Sequence, residues 1–292
     1  MVGFFYASFD KINNINENIL MSGQKLLYPE EKTKNHLLYF FRILCKLISL
    51  FVFGIETILV SIISFPIGKL LFRKKNIFRY NMRYLVYLLF QQFIGFMWLI
   101  GIVKIKVNKK GYLKNVRSSI IVANHPSYLD SPVMIAQLPH TSVIAKASLS
   151  KRNVMHTIIN ELYMPTSMPY EEMMQLAKED LANGNTIMLF PEGTRSTPYG
   201  QNRYKKGAAR ISLATGCPVI PVYIGGTSKK GLGKGDKILQ VAPNHGYVYD
   251  LQIKAPVYPD EFKDLPEAIA AKRMTQKIRE VLSDEANEQY RY

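Results

Sequence analysis

A histidine and an aspartate follow a short apolar run, five residues apart. Ile120 to Ala123 is uncharged and leads into Asn124 and His125, with Asp130 further on. A neutral imidazole takes up a proton near neutral pH, and a carboxylate on its other nitrogen fixes the tautomer and stabilises the cation. Such a base can activate a hydroxyl of the substrate itself, so no serine nucleophile is needed. The alternative is a structural turn in which Asp130 caps a helix, and the spacing alone does not exclude it.

A second polar group follows another apolar run. Thr186 to Phe190 ends at Pro-Glu-Gly-Thr-Arg-Ser, residues 191–196. The planar fork of an arginine suits phosphate, and ligand sites in α/β sheets gather at the carboxyl ends of strands. We therefore expect Glu192 and Arg195 to share one edge of the sheet with His125. The alternative is a solvated turn with an incidental charge pair.

Two further blocks come later in the chain. Lys205 and Lys206 precede a predicted helix at Gly207, where a helix N-terminus favours anions, although an exposed basic cap has the same pattern. Val219 to Ile224 reads as a buried strand whose proline predicts a bulge or a sheet edge. The glycine-rich residues 231–235 lack the full nucleotide-loop fingerprint, so we expect a mobile basic turn near the membrane over residues 228–237.

The elements around these motifs alternate between strand and helix. Apolar runs and period-two patterns predict strands at residues 103–107, 119–123, 142–145, 186–190, 218–224, 237–241 and 247–255. Helical periodicity and end signals predict helices at residues 132–138, 170–182, 207–214 and 266–283. The expected class is α/β, with a mixed, mostly parallel sheet covered by helices.

Two long apolar segments precede this region, at residues 47–68 and 85–103. Each has the roughly 20 residues that cross a bilayer core. Every flank is basic, so no crossing topology satisfies the positive-inside rule. We therefore predict a membrane-associated helix pair that dips into one leaflet or lies in its plane; two full spans or two buried core helices are the alternatives. The predicted organisation is a lead-in at 1–36, the helix pair at 37–102 and an α/β domain at 103–292.

The amino-acid composition indicates which kind of binding partner to expect. Lys and Arg number 38 against 22 Asp and Glu, which gives a net charge of +16 and implies a negatively charged partner. Because the chain has no nucleic-acid-binding signature, we expect an anionic membrane and no nucleic acid. Two distant cysteines form neither a metal site nor a disulfide framework, which fits reduced thiols and a catalytic domain on the cytoplasmic face. No metal and no cofactor is expected.

The four motifs, in this order and spacing, resemble the glycerolipid acyltransferase family typified by 1-acyl-sn-glycerol-3-phosphate acyltransferase. Asn124 to Asp130 matches the family's His-x-x-x-x-Asp block, and Phe190 to Ser196 matches its Pro-Glu-Gly-Thr-Arg block. Residues 204–208 and 219–222 match its later blocks. The resemblance covers about residues 103–223 and extends to the helix pair by architecture only.

The resemblance implies acyl transfer from acyl-CoA or acyl carrier protein to the free hydroxyl of a lysophospholipid. For 1-acyl-glycerol-3-phosphate the product is phosphatidic acid. His125 would be the base, oriented by Asp130, and backbone N–H groups near the Asn-His turn would stabilise the oxyanion. The implied substrate-binding residues are Glu192, Gly193, Thr194, Arg195, Lys205, Lys206, Asn124, Ser127 and Lys146.

One departure from the family pattern affects the acceptor. Relatives often carry an arginine between the two main blocks, whereas residues 161–167 here contain none. Another lyso-lipid, such as a lyso-aminolipid, therefore stays open as the acceptor. A lipid hydrolase is a further alternative, but the chain lacks a Gly-x-Ser-x-Gly elbow. A non-enzymatic basic membrane-binding protein is the third reading.

Overall fold

The computed structural model describes residues 33–150, 156–196 and 203–289, with side chains to residue 282. All but the last four residues of the predicted lead-in lie outside these ranges. Within them, helices at the amino-terminal side lead into a layered α/β domain.

A long helix opens the described chain. α1 (His36–Leu59) passes through a π-helical turn (Val60–Ser64) into α2 (Phe65–Leu71), and α3 (Lys75–Leu99) returns after a short connection. Asn35 caps α1, because its side chain accepts a hydrogen bond from the backbone of Leu38 at 3.0 Å. This cap explains why α1 starts well before the apolar segment predicted from residue 47. Pro66 is the second residue after the π-helical turn, so its missing N–H falls where the helical hydrogen-bond pattern changes.

The domain is built on a seven-stranded sheet in the order β1-β7-β6-β2-β5-β3-β4. The strands are β1 (Val103–Val107), β2 (Ser119–Ala123), β3 (Thr141–Ala145), β4 (Met164–Pro165), β5 (Thr186–Leu189), β6 (Val219–Gly226) and β7 (Tyr247–Ile253). Every pairing is parallel except that of β6 with β7. The predicted mixed, mostly parallel sheet is confirmed.

Helices cover both faces of this sheet. They are α4 (Tyr112–Asn115), α5 (Asp130–Ile135), α6 (His156–Leu162), α7 (Tyr170–Ala182), α8 (Gly207–Thr215) and α9 (Glu267–Gln289). Alternate residues of β2 separate two cores, since Ile121 packs with α3, α5 and α6 whereas Ile120 packs with α7, α8 and α9. α1 and α9 therefore belong to opposite faces of the sheet.

α3 is fastened to the domain by polar contacts along its length. The Arg83 guanidinium is buried and binds both carboxylate oxygens of Asp180, at 2.6 and 2.9 Å, as well as the carbonyl of Leu162. About two turns further on, Gln91 donates to the carbonyl of Ala136 at 3.3 Å. An arginine bonded in this way fixes α3 against α6 and α7.

α1 presents a different surface. Within the described residues, one helix, His36–Leu71, is long and apolar enough to cross a membrane by length and composition, and 17% of its most apolar window is buried. That criterion is also met by core helices and signal sequences. Large apolar side chains stay exposed along this helix: Leu37, Phe40, Phe41, Leu44, Ile48, Phe51, Ile55, Leu59, Ile62, Ile63, Ile67, Leu70 and Leu71.

One expectation about strands was wrong. Residues 237–241 form turns and irregular chain, because the segment from Lys229 to Val241 folds back on itself. We call this segment the 229–241 loop. β6 is an interior strand between β2 and β7, so Pro221 does not mark a sheet edge. The antiparallel register shifts by one residue between the pairs Val222–Ile253 and Val219–Val257, which agrees with the bulge expected beside Pro221.

Candidate active site

The Asn-His loop and the Pro-Glu-Gly-Thr-Arg turn meet at one edge of the sheet. β2 and β5 are adjacent and parallel, so their carboxyl ends lie side by side. The backbone N–H of Ser196 donates to the carbonyl of His125 at 2.6 Å. In return the N–H of His125 donates to Ser196 Oγ at 3.1 Å and to Glu192 Oε1 at 3.3 Å. The expectation that both motifs share this edge is confirmed by these bonds.

The histidine ring is held on two sides. His125 Nδ1 lies 2.8 Å from Asp130 Oδ2, and the ring stacks on Phe190 with centroids 4.0 Å apart and planes 14° apart. The His125 side chain keeps 17% exposure, whereas that of Asp130 has none. A proton on Nδ1 satisfies the buried carboxylate, so the second ring nitrogen, Nε2, carries the basic lone pair.

Asp130 orients the ring and does not cap the helix that it begins. Its Oδ2 also accepts from the N–H of Ser127 at 2.7 Å, and its Oδ1 accepts from Ser127 Oγ at 2.5 Å. Leu129 occupies the N-cap position of α5, with no side-chain capping bond. The carboxylate therefore points back into the loop, and its position in the first helical turn adds favourable helix-dipole stabilisation.

Tyr249 extends this network from the far side of the domain. Its hydroxyl lies 2.8 Å from Ser127 Oγ, and the tyrosine is completely buried in β7. Since Ser127 uses its one proton on Asp130, the hydroxyl of Tyr249 must be the donor to Ser127. Burial, followed by the charge of Asp130, raises the pKa of Tyr249 well above its ordinary value, which keeps that proton in place.

A buried lysine lies behind Tyr249. Lys229 Nζ sits 4.4 Å from the centre of the Tyr249 ring and donates to the carbonyls of Gly225, Thr227 and Val248, at 2.7 to 3.1 Å. Burial lowers the pKa of Lys229 to about 8, while the carboxylates of Asp130 and Asp250 partly offset the shift. Sequence reasoning missed Lys229 and Tyr249 as site residues, because both are about a hundred residues or more from His125.

The 229–241 loop forms one wall of the site, with three consecutive carbonyls bonded to three different elements. Gly231 accepts from Lys46 of α1 at 2.6 Å, Leu232 from the N–H of Tyr128 at 3.1 Å, and Gly233 from Arg195 at 2.8 Å. Asp236 Oδ2 accepts from the N–H groups of Gly231 and Gly233, both at 2.7 Å. The loop predicted to be a mobile turn is instead packed between α1 and the candidate site.

Basic side chains converge on the Glu192–Arg195 turn. Burial lowers the pKa of Arg195, and the charges of Asp236 and Asp130 work against that shift. Gly193 has a φ of +65°, and a Cβ built there would lie 2.8 Å from Lys205 Nζ, so the absence of a side chain lets this ammonium approach the turn. Lys206 is the N-cap residue of α8 and is partly exposed, as is Thr194 in the turn.

The remaining predicted site residues have other surroundings. The Asn124 amide donates to the carbonyl of Ile224 at 3.1 Å and accepts from its N–H at 2.6 Å, so it joins β2 to β6. Ser127 is buried and committed to Asp130 and Tyr249. Lys146 is exposed at the carboxyl end of β3, two strands away from β2.

The Asn-His loop uses several of its N–H groups internally. That of His125 serves Glu192 and Ser196, that of Ser127 serves Asp130, and that of Tyr128 serves the 229–241 loop. These three groups were the natural candidates for an oxyanion site near this turn. In this arrangement all three groups already have partners within the protein.

The chain is similar to known acyltransferases. A family model described as Acyltransferase matches residues 104–225. A chloroplast 1-acyl-sn-glycerol-3-phosphate acyltransferase of Arabidopsis thaliana is 31% identical over 54% of this chain and 46% of its own length. A probable 1-acyl-sn-glycerol-3-phosphate acyltransferase of Mycoplasma pneumoniae is 25% identical over 63% of this chain and 72% of its own.

A solved structure extends the similarity beyond the central motifs. The crystal structure of the 1-acyl-sn-glycerophosphate acyltransferase of Thermotoga maritima superposes with a TM-score of 0.61. The match covers 84% of this chain and 98% of that chain, at 25% identity. The chain matches less than half the length of the Arabidopsis relative. The family model and these similarities show an Acyltransferase match at residues 104–225, in a chain that is similar to 1-acyl-sn-glycerol-3-phosphate acyltransferases.

Proposed function

We propose that the protein transfers an acyl chain from a thioester donor to the free hydroxyl of a lysophospholipid. The preferred acceptor is 1-acyl-glycerol-3-phosphate, which gives phosphatidic acid. The observation that carries the proposal is the 2.8 Å contact of His125 with buried Asp130, beside a turn bearing Glu192 and Arg195. A base and a phosphate-binding arginine at one sheet edge suit a substrate that has both a hydroxyl and a phosphate.

The chemistry needs no group besides the two substrates. His125 Nε2 removes the proton of the acceptor hydroxyl as its oxygen attacks the thioester carbonyl. The tetrahedral intermediate collapses, the carbon–sulfur bond breaks, and the departing sulfur takes the proton back from His125. Asp130 stabilises the imidazolium in between, and the Phe190 ring prevents the imidazole from turning away.

The acceptor's glycerol-phosphate part is assigned to the Glu192–Arg195 turn. Arg195 and Lys205 supply positive charge there, with Gly193 allowing their approach and Thr194 and Lys206 at the margin. Asn124 and Ser127 act by shaping the Asn-His loop, since their side chains are bonded within the protein. Lys146 is assigned to an outer position for the anionic substrates.

We assign contact with the membrane to the exposed apolar side of α1. α3 is fastened to the domain through Arg83, so the pair lies along the domain and enters one leaflet from the cytoplasmic face. Basic residues of the connection, Arg73, Lys74 and Lys75, are exposed and would meet anionic headgroups. On this proposal residues 37–102 are the membrane-associated unit and residues 103–292 the acyltransferase domain.

The test is product analysis with purified protein. Labelled acyl-CoA and labelled acyl carrier protein are each offered with a panel of lyso-lipids that includes lysophosphatidic acid and a lyso-aminolipid. We expect labelled phosphatidic acid, and we expect His125→Ala to lower its rate at least about 10²-fold. His156→Ala, at an exposed position that begins α6, is the matched control and should retain full rate.

The outcomes separate the alternatives. Acceptor-independent release of free fatty acid would identify a hydrolase instead. A product from the lyso-aminolipid alone would reassign the acceptor, as the absence of an arginine at residues 161–167 allows. Retained transfer in His125→Ala, with folding equal to that of the control, would refute the role of His125.

A further inference from the structure

The 229–241 loop lies directly against α1. Lys46 is 4% exposed, and its Nζ donates to the carbonyls of Gly231 at 2.6 Å and Gln240 at 2.8 Å. One turn earlier, Arg42 donates to the carbonyl of Pro243 at 2.8 Å. Both ends of the loop are thereby fixed to the helix whose apolar side is exposed.

The outer part of the loop is apolar and basic at once. Ile238 and Leu239 are 44% and 55% exposed. They immediately precede Gln240, so they lie within about two residue lengths of the contact with α1. Lys234 and Lys237 are exposed beside them. Exposed apolar side chains flanked by lysines are typical of segments that contact the interface of an anionic bilayer.

The inner part of the same loop reaches the candidate site. Gly233 is bonded to Arg195 and Leu232 to the backbone of Tyr128, three residues from His125. A contact that fixes the outer part of the loop therefore also fixes the wall of the site next to His125. A lipid acceptor leaving the bilayer would meet this wall first.

We propose that the 229–241 loop is a second membrane-contact element beside α1. In it Ile238 and Leu239 enter the bilayer interface, and Lys234 and Lys237 bind anionic headgroups. The loop is bonded to α1, the helix whose apolar side chains are exposed, and its lysines favour an anionic bilayer over a protein partner with an apolar face. The inference rests on the proposed function and adds how the site is held at the lipid surface.

The test compares two isoleucines with the same exposure. Ile238 and Ile269 are each 44% exposed, but Ile269 belongs to α9 on the opposite face of the sheet. Ile238→Asp and Ile269→Asp are sedimented with vesicles of phosphatidylcholine and phosphatidylglycerol. We expect Ile238→Asp to raise the lipid concentration for half-maximal binding at least about tenfold, since an inserted apolar side chain is replaced by a charge. Ile269→Asp should bind as the wild type does.

A second pair of variants tests the charges. Lys234→Gln with Lys237→Gln should weaken binding about 30-fold on the anionic vesicles, at about 1 kcal/mol for each lysine near the surface. The change on pure phosphatidylcholine should be small. Lys272→Gln with Lys277→Gln, at exposed positions on α9, is the control. Equal binding of the loop variants and their α9 controls would overturn the proposal.

Acyl transfer in detergent micelles, measured on the same samples, separates this inference from the proposed function. If the wild type transfers acyl chains and Ile238→Asp binds vesicles as well as Ile269→Asp does, the membrane contact of the loop is refuted and the proposed function is retained. Weakened binding of Ile238→Asp, in a protein that transfers no acyl chain, refutes the function and supports the membrane contact.

Discussion

The hydroxyl of Tyr249 should matter for catalysis although it is buried and cannot touch a substrate. Tyr249→Phe removes one oxygen and leaves the ring in its packed position. In the wild type that oxygen lies 2.8 Å from Ser127 Oγ, which lies 2.5 Å from Asp130 Oδ1. The variant therefore removes the outermost bond of the chain that holds Asp130 against His125.

The size of the effect follows from the type of bond. A neutral buried hydrogen bond contributes about 0.5–1.5 kcal/mol net, and about 1.4 kcal/mol corresponds to a factor of ten. Ser127 keeps its own bond to Asp130, so the dyad is loosened and not broken. We expect kcat to fall about three- to tenfold, with KM for the acyl donor unchanged.

Tyr247→Phe is the matched control. Tyr247 lies two residues earlier in β7, is 3% exposed, and donates its hydroxyl proton to the carbonyl of Lys230 at 2.8 Å. Tyr249→Phe loses the bond to Ser127, whereas Tyr247→Phe loses the bond to the Lys230 carbonyl and a bond from the backbone of Ala242. At about 1 kcal/mol for each bond, Tyr247→Phe should lose at least as much free energy of unfolding as Tyr249→Phe. Denaturant titration checks that order, and steady-state kinetics with a saturating acceptor gives kcat.

Only the Tyr249 variant should be slower. If both variants turn over at the wild-type rate, or if both slow equally, the Tyr249 hydroxyl serves folding alone. The reasoning that links it to His125 would then be wrong.

Two further predictions concern the same region. Gly231→Ala should lower activity at least about tenfold, because its Cβ would lie 1.9 Å from the carbonyl oxygen of Gln240, whereas Gly235→Ala, with a similar positive φ and open space around it, should cost only a fewfold loss. Similar activities of the two alanine variants would contradict the packing of the loop. Burial lowers the pKa of Lys229 to about 8 from about 10.5 in the unfolded chain, so the unfolded state binds more protons between those values and this group makes stability rise with pH. Denaturant titrations at pH 7.5 to 9.5 should show a smaller rise in Lys229→Met, and an unchanged slope would refute the lowered pKa.

Elements that depend on neighbouring residues were predictable from the sequence. The helix predicted at residues 170–182 has those bounds, and β2 and β1 occupy the predicted residues. The meeting of the His125 loop with the Glu192 turn was also predictable, because both follow buried parallel strands. Local apolar patterns carry this information without any knowledge of distant contacts.

The residues that hold the candidate site in place could not be predicted, because they act through contacts between distant parts of the chain. Tyr249 is one of the alternate, inward-facing residues of β7, so in the sequence it looks like an ordinary core residue. Its role becomes visible only when β7 is paired with β6. Residues 237–241 were predicted to form a strand, but Asp236 and Lys46 bind the backbone of the loop and fold it differently. Whether a segment forms the strand that its residues favour depends on the buried polar groups that the fold brings next to its backbone.

The two apolar segments of the helix pair look alike in sequence and differ in what they bind. α3 carries Arg83, a buried guanidinium that pairs with the partly buried carboxylate of Asp180. This pair would be broken if the helix left the domain. α1 has no comparable anchor on its outer side, where the large side chains are apolar and exposed. Its one buried lysine faces the 229–241 loop instead. On the proposed function, α3 holds α1 against the domain, and the exposed side of α1 with the neighbouring loop would face the bilayer.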